Sequence, residues 1–334
     1  MKAARLELPL SLKETFLPMN NTLVIVLPCF NEEAALPQTL ERMTALLSDM
    51  IAKGLVSRSS RLLFVDDGSK DKTWELISEA HADNKAVCGL RLAHNSGHQN
   101  ALIAGMDAAV GMDADMIITI DADLQDDISV IPEMVAKCAD GVDIVYGVRR
   151  QRDRDSWMKR MTAQTYYKIM KSFGVDLVYN HADFRLLSRA VTERLLRYRE
   201  RNLFLRGIVP SLGNRTDCVY YDRLPREAGE TKYTVAKMTH LAADGITSFT
   251  DKPVKALIWF GLLFLLVAFG ILCYVLVSFF TGNTVSGWSS LMLSLWFIGG
   301  CVMIGLGIVG LYIGKIYFEV KDRPRYHVET TLIG

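Results

Sequence analysis

The chain has 334 residues, more than one modest domain usually needs, and a formal net charge of +1, which provides no global field for recruiting nucleic acid. Hydrophobic residues make up 50% of it and are unevenly spread. No charged residue occurs from 256 to 314, long enough for two membrane spans at roughly 20 residues each, which argues against an ordinary soluble chain.

Residues 1–21 carry Lys2, Arg5, Glu7, Lys13 and Glu14 and lack the continuous apolar core of a signal peptide, so they read as an N-terminal extension. A first strand is predicted over 23–27, ended by Pro28. Residues 32–53 have helical spacing, with Leu36, Leu40, Met43 and Leu47 on one face. A second strand, 61–65, runs into Asp66-Asp-Gly-Ser69, and a helix follows from 71 or 72 to about 82. Residues 87–92 form a third strand, 98–110 a helix, 116–120 a fourth strand and 143–146 a fifth. Such alternation predicts an α/β fold: a mostly parallel sheet with helices on both faces. The first, second and fourth strands each carry a polar signature at the carboxyl end, where open α/β sheets bind ligands.

The fourth signature is the most informative. The apolar run 116–120 ends in Asp121-Ala-Asp-Leu-Gln-Asp126. In extended backbone, Asp121 and Asp123 point the same way, and Gln125 joins them if the extension continues. Two carboxylates and an amide oxygen make a hard, all-oxygen site suited to Mg²⁺ or Mn²⁺, completed by substrate phosphates. The bland reading is an Asp-rich turn.

From 148 onward the texture changes. Residues 149–155 form a basic loop and 157–173 a helix. Asp183-Phe-Arg185 precedes another helix, with Ser188 as its N-cap. Residues 201–232, rich in Arg and Gly, read as a loop-bearing region. Residues 234–255 read as an amphipathic juxtamembrane segment, followed by spans at 256–280 and 289–314 and a tail at 315–334. Lys252 and Lys255 flank the first span; Lys315, Lys321, Arg323 and Arg325 flank the second; the turn between them is uncharged. The positive-inside rule therefore predicts that the domain at 22–233 and the tail share the cytoplasmic side of the inner membrane. The six cysteines form no Cys-x-x-Cys pair and read as free thiols.

Pro28-Cys-Phe-Asn-Glu-Glu33, Val65-Asp-Asp-Gly-Ser69 and Asp121-Ala-Asp-Leu-Gln-Asp126 occur in that order. Together they resemble the glycosyltransferase family 2 signature on a GT-A, Rossmann-like fold. Asp183-Phe-Arg-Leu186, Arg226-Glu-Ala-Gly-Glu-Thr-Lys-Tyr233, Tyr312-Ile-Gly-Lys-Ile-Tyr317 and Arg323-Pro-Arg-Tyr326 narrow the resemblance to polyprenyl-phosphate glycosyltransferases of the bactoprenol and dolichol-phosphate type. The resemblance implies that Pro28, Asn31 and Glu32 line a nucleoside pocket and that Asp67, with Asp66 beside it, receives the base. It implies Asp121, Asp123 and Gln125 as metal ligands, Asp183 with Arg185 as the catalytic pair, and Arg149, Arg206, Arg226 and Lys232 as phosphate contacts. His94 and Asp127 depart from the family pattern, where Arg and Pro are usual.

Three readings of single residues belong to the sequence alone. Glu33 reads as a first-turn acid favoured by the helix dipole. His98 reads as a capping or packing residue. Asp183 and Arg185 read as a site pair in preference to a structural ion pair. The expected activity is inverting transfer of a sugar from a nucleotide-sugar donor, UDP-linked by preference, onto a polyprenyl phosphate such as undecaprenyl phosphate at the membrane. Homo-oligomerisation is left open. The competing readings are a processive polysaccharide synthase, whose Gln-x-x-Arg-Trp motif is absent here, and a catalytically idle membrane scaffold of the same fold.

Overall fold

The structure, a computed structural model, describes residues 21–150, 181–200, 205–222 and 287–333, with scattered positions between 257 and 281. An eight-stranded sheet organises the described residues, in the order β7-β5-β6-β4-β1-β2-β3-β8. Its strands are β1 (Leu23–Cys29), β2 (Arg61–Asp66), β3 (Val87–Leu92), β4 (Met116–Thr119), β5 (Ile144–Arg149), β6 (His181–Ser188), β7 (Thr216–Tyr221) and β8 (Val328–Leu332). The helices are α1 (Leu36–Ala52), α2 (Thr73–Asp83), α3 (His98–Gly111), α4 (Ile131–Ala139), α5 (Arg189–Leu196), the short α6 (Leu205–Ile208) and the long α7 (Trp288–Val320).

β4, β1, β2 and β3 run parallel, β1 being central and buried at every position. The chain goes outward from β1 on one side through β2 and β3, then crosses to β4 on the other. The gap between β1 and β4 is thus a topological switch point, where such sheets open a crevice at their carboxyl ends. β6 is antiparallel to both β4 and β5, so its first residues lie beside the last residues of β4. One apolar cluster fills each face of the sheet, under α1, α2 and α4 on one side and α3, α5 and α6 on the other. Gly105 lets α3 approach closely: a Cβ there would meet Val26 Cγ1 at 2.3 Å.

Several expectations shift. β1 continues through Pro28 to Cys29, in register with β2. Glu33 precedes α1, which starts at Leu36, so it is not a first-turn acid. Its carboxylate accepts from Lys72 N–H, and Asp71 accepts from Glu33 N–H, which ties the loop after β1 to the loop after β2. The N-cap at Ser188 stands: its hydroxyl accepts from Val191 N–H. Asp183-Phe-Arg185, however, lies inside a strand, and the 201–232 region supplies α6 and β7.

The membrane part is described for one helix. α7 has 33 residues, runs past the expected end of the second span to Val320, and contains a strongly apolar segment, Phe297–Val320, with no burial inside the protein. It is about 50 Å long at ~1.5 Å per residue, more than a hydrocarbon core of ~30 Å requires. The other expected span, 256–280, is described at scattered positions, each of them helical, and two spans are not established. The tail is no loose appendage. Residues 328–332 pair antiparallel with β3 as the edge strand β8. The segments 1–20, 157–173 and 234–255 lie outside the described residues.

Candidate active site

The loops after β1 and β2 build one wall. Asn31, at φ 54°, receives Lys70 N–H on its side-chain oxygen and donates its own N–H to Ser69 Oγ. Glu32 N–H donates to Thr73 Oγ1. Asp66, fully buried, accepts from Ser69 N–H. Gly68 sits at φ +69° with its Cα so close to His94 that a Cβ would meet that residue's carbonyl carbon at 2.7 Å. Asp67 is also spoken for: its two oxygens accept from Ser96 N–H (2.7 Å) and Gly97 N–H (3.0 Å), the residues just before α3. Burial raises its pKa, and those two bonds only partly counter this. In this arrangement Asp67 anchors the start of α3, and Pro28 is buried in the strand.

The second wall is the loop after β4. The extended geometry expected through Gln125 stops at Thr119: residues 122–123 turn, and Leu124 takes φ 49°. Asp123 accepts Gln125 N–H within this turn, and the Gln125 side chain is buried rather than aligned with the two carboxylates by strand alternation. The turn is pinned at both ends. Thr39 Oγ1 on α1 donates to Ala122 O at 2.7 Å. Asp126 Oδ1 accepts from Arg149 Nε (2.9 Å), Arg149 Nη2 (2.8 Å) and Tyr221 Oη (2.7 Å). Arg149, expected on a phosphate, is therefore engaged by a buried carboxylate. Asp127, where the family pattern has Pro, accepts Ser129 N–H and caps the short 3-10 turn at Ile128–Val130.

β6 delivers the third component. Because Thr119 is opposite Arg185, Asp183 extends just past the end of β4, and its backbone carbonyl accepts from Thr119 Oγ1 at 2.6 Å. Its carboxylate meets two guanidinium groups and an imidazole: Arg185 Nη2 at 2.6 Å, Arg206 Nη2 at 3.0 Å and His98 Nε2 at 3.6 Å. Burial pushes the Asp183 carboxyl up, but His98, Arg206 and Arg185 outweigh that and hold it well below the usual carboxylate range. Arg185 is one of the largest fully buried side chains.

His98 is the residue that sequence reasoning misplaced. It is the first residue of α3, and its Nε2 lies 3.5 Å from Asp121 Oδ1 as well as near Asp183. It neither caps nor packs; it joins the carboxylate after β4 to the carboxylate on β6. Burial opposes its protonation, yet Asp183 and Asp121 raise its pKa overall. Asp121 is pushed up to about 6, by burial first and then by Asp183, Asp123 and Asp126, against the opposing effect of His98. Its side chain is nevertheless 38% exposed, so solvent moderates this crowding. Arg226 and Lys232 lie outside the described residues.

Residues 24–196 match the family model described as "Glycosyl transferase family 2". The chain belongs to this family. It is 49% identical over 312 residues to "Uncharacterized glycosyltransferase YkoT" of Bacillus subtilis (strain 168), covering 93% of this chain and 92% of that one. It is 39% identical over 307 residues to "Prophage bactoprenol glucosyl transferase homolog" of Escherichia coli (strain K12), covering 91% and 97%. Among solved structures, the glucosyl-3-phosphoglycerate synthase from Mycobacterium tuberculosis matches at a TM-score of 0.46 and 17% identity, over 69% of this chain and 79% of that one. Family membership makes the chain a glycosyltransferase, and its own strand pairings form a GT-A, Rossmann-like mixed sheet, six strands running one way and β6 and β8 against them.

Proposed function

We propose that this chain is an inverting, metal-dependent glycosyltransferase that moves a sugar from a UDP-sugar onto a polyprenyl phosphate at the cytoplasmic face of the inner membrane. The observation carrying this reading is the convergence of Asp121, Asp183 and His98 at the carboxyl edge of the parallel strands, beside the Asp66-Asp67 turn.

Asp121 and Asp123 would hold a Mg²⁺ or Mn²⁺ ion, with Gln125 the nearby amide. Burial first, and then the neighbouring acids, raise Asp121; a hard cation would offset both, and in that respect the donor set fits. Among the described residues no three His, Cys, Asp or Glu side chains form a complete cage, so the remaining ligands would come from the donor diphosphate and water. The ion would supply Lewis-acid neutralisation of the departing diphosphate.

The protein's own residues handle the acceptor. A phosphate monoester loses its second proton near pH ~6, so the lipid phosphate is already a nucleophile at neutral pH. Asp183, held far below neutrality by its cations, is no match for a general base, which works best with a pKa near the operating pH. It orients Arg206 and His98 instead. Arg206 is half exposed and can direct its guanidinium to a phosphate oxygen, the fork geometry that suits such groups. One direct displacement inverts the sugar's anomeric centre.

The tail supports the membrane placement. β8 belongs to the sheet, so the Val320 end of α7 lies on the same side as the catalytic domain. If α7 crosses the bilayer once, its Trp288 end is on the far side, and the chain between 222 and 288 must cross as well. Two spans with both charged flanks inside satisfy this. The test is transfer of radiolabelled sugar from a panel of UDP- and GDP-sugars to undecaprenyl phosphate in membranes containing the protein. A sugar-labelled lipid phosphodiester is the expected product; label that enters only a growing polysaccharide would reject this reading.

A further inference from the structure

Arg91 occupies an unusual position for a cation: an interior strand, between β2 and β8. It sits on β3, with Nε 3.4 Å from Asp66 Oδ2 and 3.3 Å from Glu329 Oε2, and its guanidinium carbon lies 5.7 Å from the centre of the Trp74 ring. Asp66 ends β2 and holds the Asp66–Ser69 turn through Ser69 N–H. Its other oxygen is buried without a hydrogen bond, so the charge on Arg91 is what compensates it among the described residues. A buried carboxylate with one long ion pair is sensitive to where that cation is placed.

What places the cation is the tail. Arg91 is opposite Thr330 in the β3–β8 ladder, Ala93 N–H donates to His327 O, and the Tyr326 hydroxyl donates to Asp107 on α3. Arg325 donates to the Tyr198 carbonyl. A segment beginning five residues after α7 is thereby attached to β3, α3 and the residues after α5. In the Arg91–Glu329 contact Arg91 Nε is buried while the Glu329 side chain is half exposed, so the pair by itself contributes modestly to stability and its consequence is directional.

We infer that Arg91 is a positioning residue for the nucleotide-binding turn, and that the C-terminal strand, through Glu329, holds it in place. The strand leaving the membrane helix thus contributes to donor binding without touching the donor. This rests on the glycosyl-transfer reading, in which the Asp66-Asp67 turn faces the nucleotide.

The test is calorimetric titration of the detergent-solubilised full chain with UDP, and separately with GDP, in the presence of Mg²⁺, for the wild type, Arg91→Gln, Glu329→Gln and the double variant. Arg91→Gln should weaken nucleotide binding about tenfold and Glu329→Gln several-fold. The double variant should be no worse than Arg91→Gln, because Glu329 acts through Arg91. Losses that multiply, or a Glu329→Gln protein with wild-type affinity, overturn the inference. So does a smaller binding-competent fraction at unchanged affinity, the signature of a merely structural strand. Wild-type protein that binds neither nucleotide would overturn the glycosyl-transfer reading itself; wild-type binding with an indifferent Glu329→Gln rejects only the role of the tail.

Discussion

Arg206 Nη2 lies 3.0 Å from Asp183 Oδ2, on a carboxylate whose other oxygen is taken by the buried Arg185 at 2.6 Å. One arginine is sealed in the sheet and the other is half exposed. The inner contact fixes the carboxylate, and in the proposed reaction the outer one would be exchanged for a phosphate.

Asp183→Asn should therefore slow transfer through misplacement rather than through loss of a base. The pH profile decides between these. Asp183 has its pKa lowered by its cations, so it stays ionised down to well below the ordinary carboxylate range and contributes no titration near neutrality. Both the wild type and Asp183→Asn should follow ionisation of the lipid phosphate, around pH ~6. A wild-type limb near neutrality that vanishes in Asp183→Asn but persists in His98→Gln, and so does not belong to the imidazole whose pKa Asp183 raises, would restore the base. Arg206→Ala should raise the KM for the lipid acceptor about tenfold or more.

The proposed metal site should yield the most severe substitutions. Asp121→Ala and Asp123→Ala should each abolish transfer in washed membranes resupplied with Mg²⁺ or Mn²⁺. Gln125→Ala should be milder, since strand alternation does not align its buried side chain with the two carboxylates. Because the metal-free pKa of Asp121 is raised to about 6, a proton competes with the cation below that pH. Apparent Mg²⁺ affinity should fall as pH drops from 7 to 5. The same shift has the opposite sign for stability: a raised carboxylate favours the folded state when protonated, so this contribution is present near pH 4 and is lost as pH rises through about 6. Full activity of Asp123→Ala after EDTA treatment would dismiss the metal assignment.

His98→Ala removes the link between Asp121 and Asp183. Two carboxylates would then face each other with less compensation, so loss of rate should exceed loss of donor affinity. His98→Gln, which retains a hydrogen-bond donor of similar reach, should recover part of the rate. Equal kcat in all three proteins would return His98 to a packing role.

How much of this was legible in the sequence depends on how local each feature is. The strand 87–92 and the cap at Ser188 follow from their neighbours in the chain, and the structure has both. β6 was missed because Asp183 and Arg185 break its apolar pattern; only their ion pair, and the cations gathered from α3 and α6, make that sequence tolerable in a central strand. β8 offers the mostly exposed Val-Glu-Thr-Thr-Leu and reads as tail until its partner β3 is known. His98 had no sequence signal, since its significance arises only when β6 is inserted beside β4. The Asp-x-Asp reading identified a crowded acidic edge but assumed an extension that Leu124, in the left-handed region, ends.

Arg149 offers a separate test of the loop. It forms a buried pair with Asp126, which Tyr221 also serves. Arg149→Ala should cost about 3–5 kcal/mol, since it strands a buried carboxylate, and Tyr221→Phe about 1–3 kcal/mol. Urea denaturation of the variants would measure both. If Arg149 instead met substrate phosphate, Arg149→Ala would retain stability and show its defect in KM alone.

Topology can be tested with single cysteines in a chain otherwise lacking them. Asn283 lies in the uncharged polar sequence between the two apolar stretches, and Glu329 lies on β8, half exposed and paired into the catalytic sheet. A cysteine at 283 should react with an impermeant thiol reagent added from outside intact cells. One at 329 should react only after the membrane is opened. β8 binds to the same sheet that carries Asp121 and Asp183, a stricter constraint than the charge rule alone. Whichever side holds residue 329 also holds the catalytic residues. Labelling of both cysteines from outside would place the active site there, away from the cytoplasmic pool of nucleotide sugars. Labelling of neither until lysis would instead mean that the apolar stretches enter and leave by the same face, and the two-span arrangement would fall.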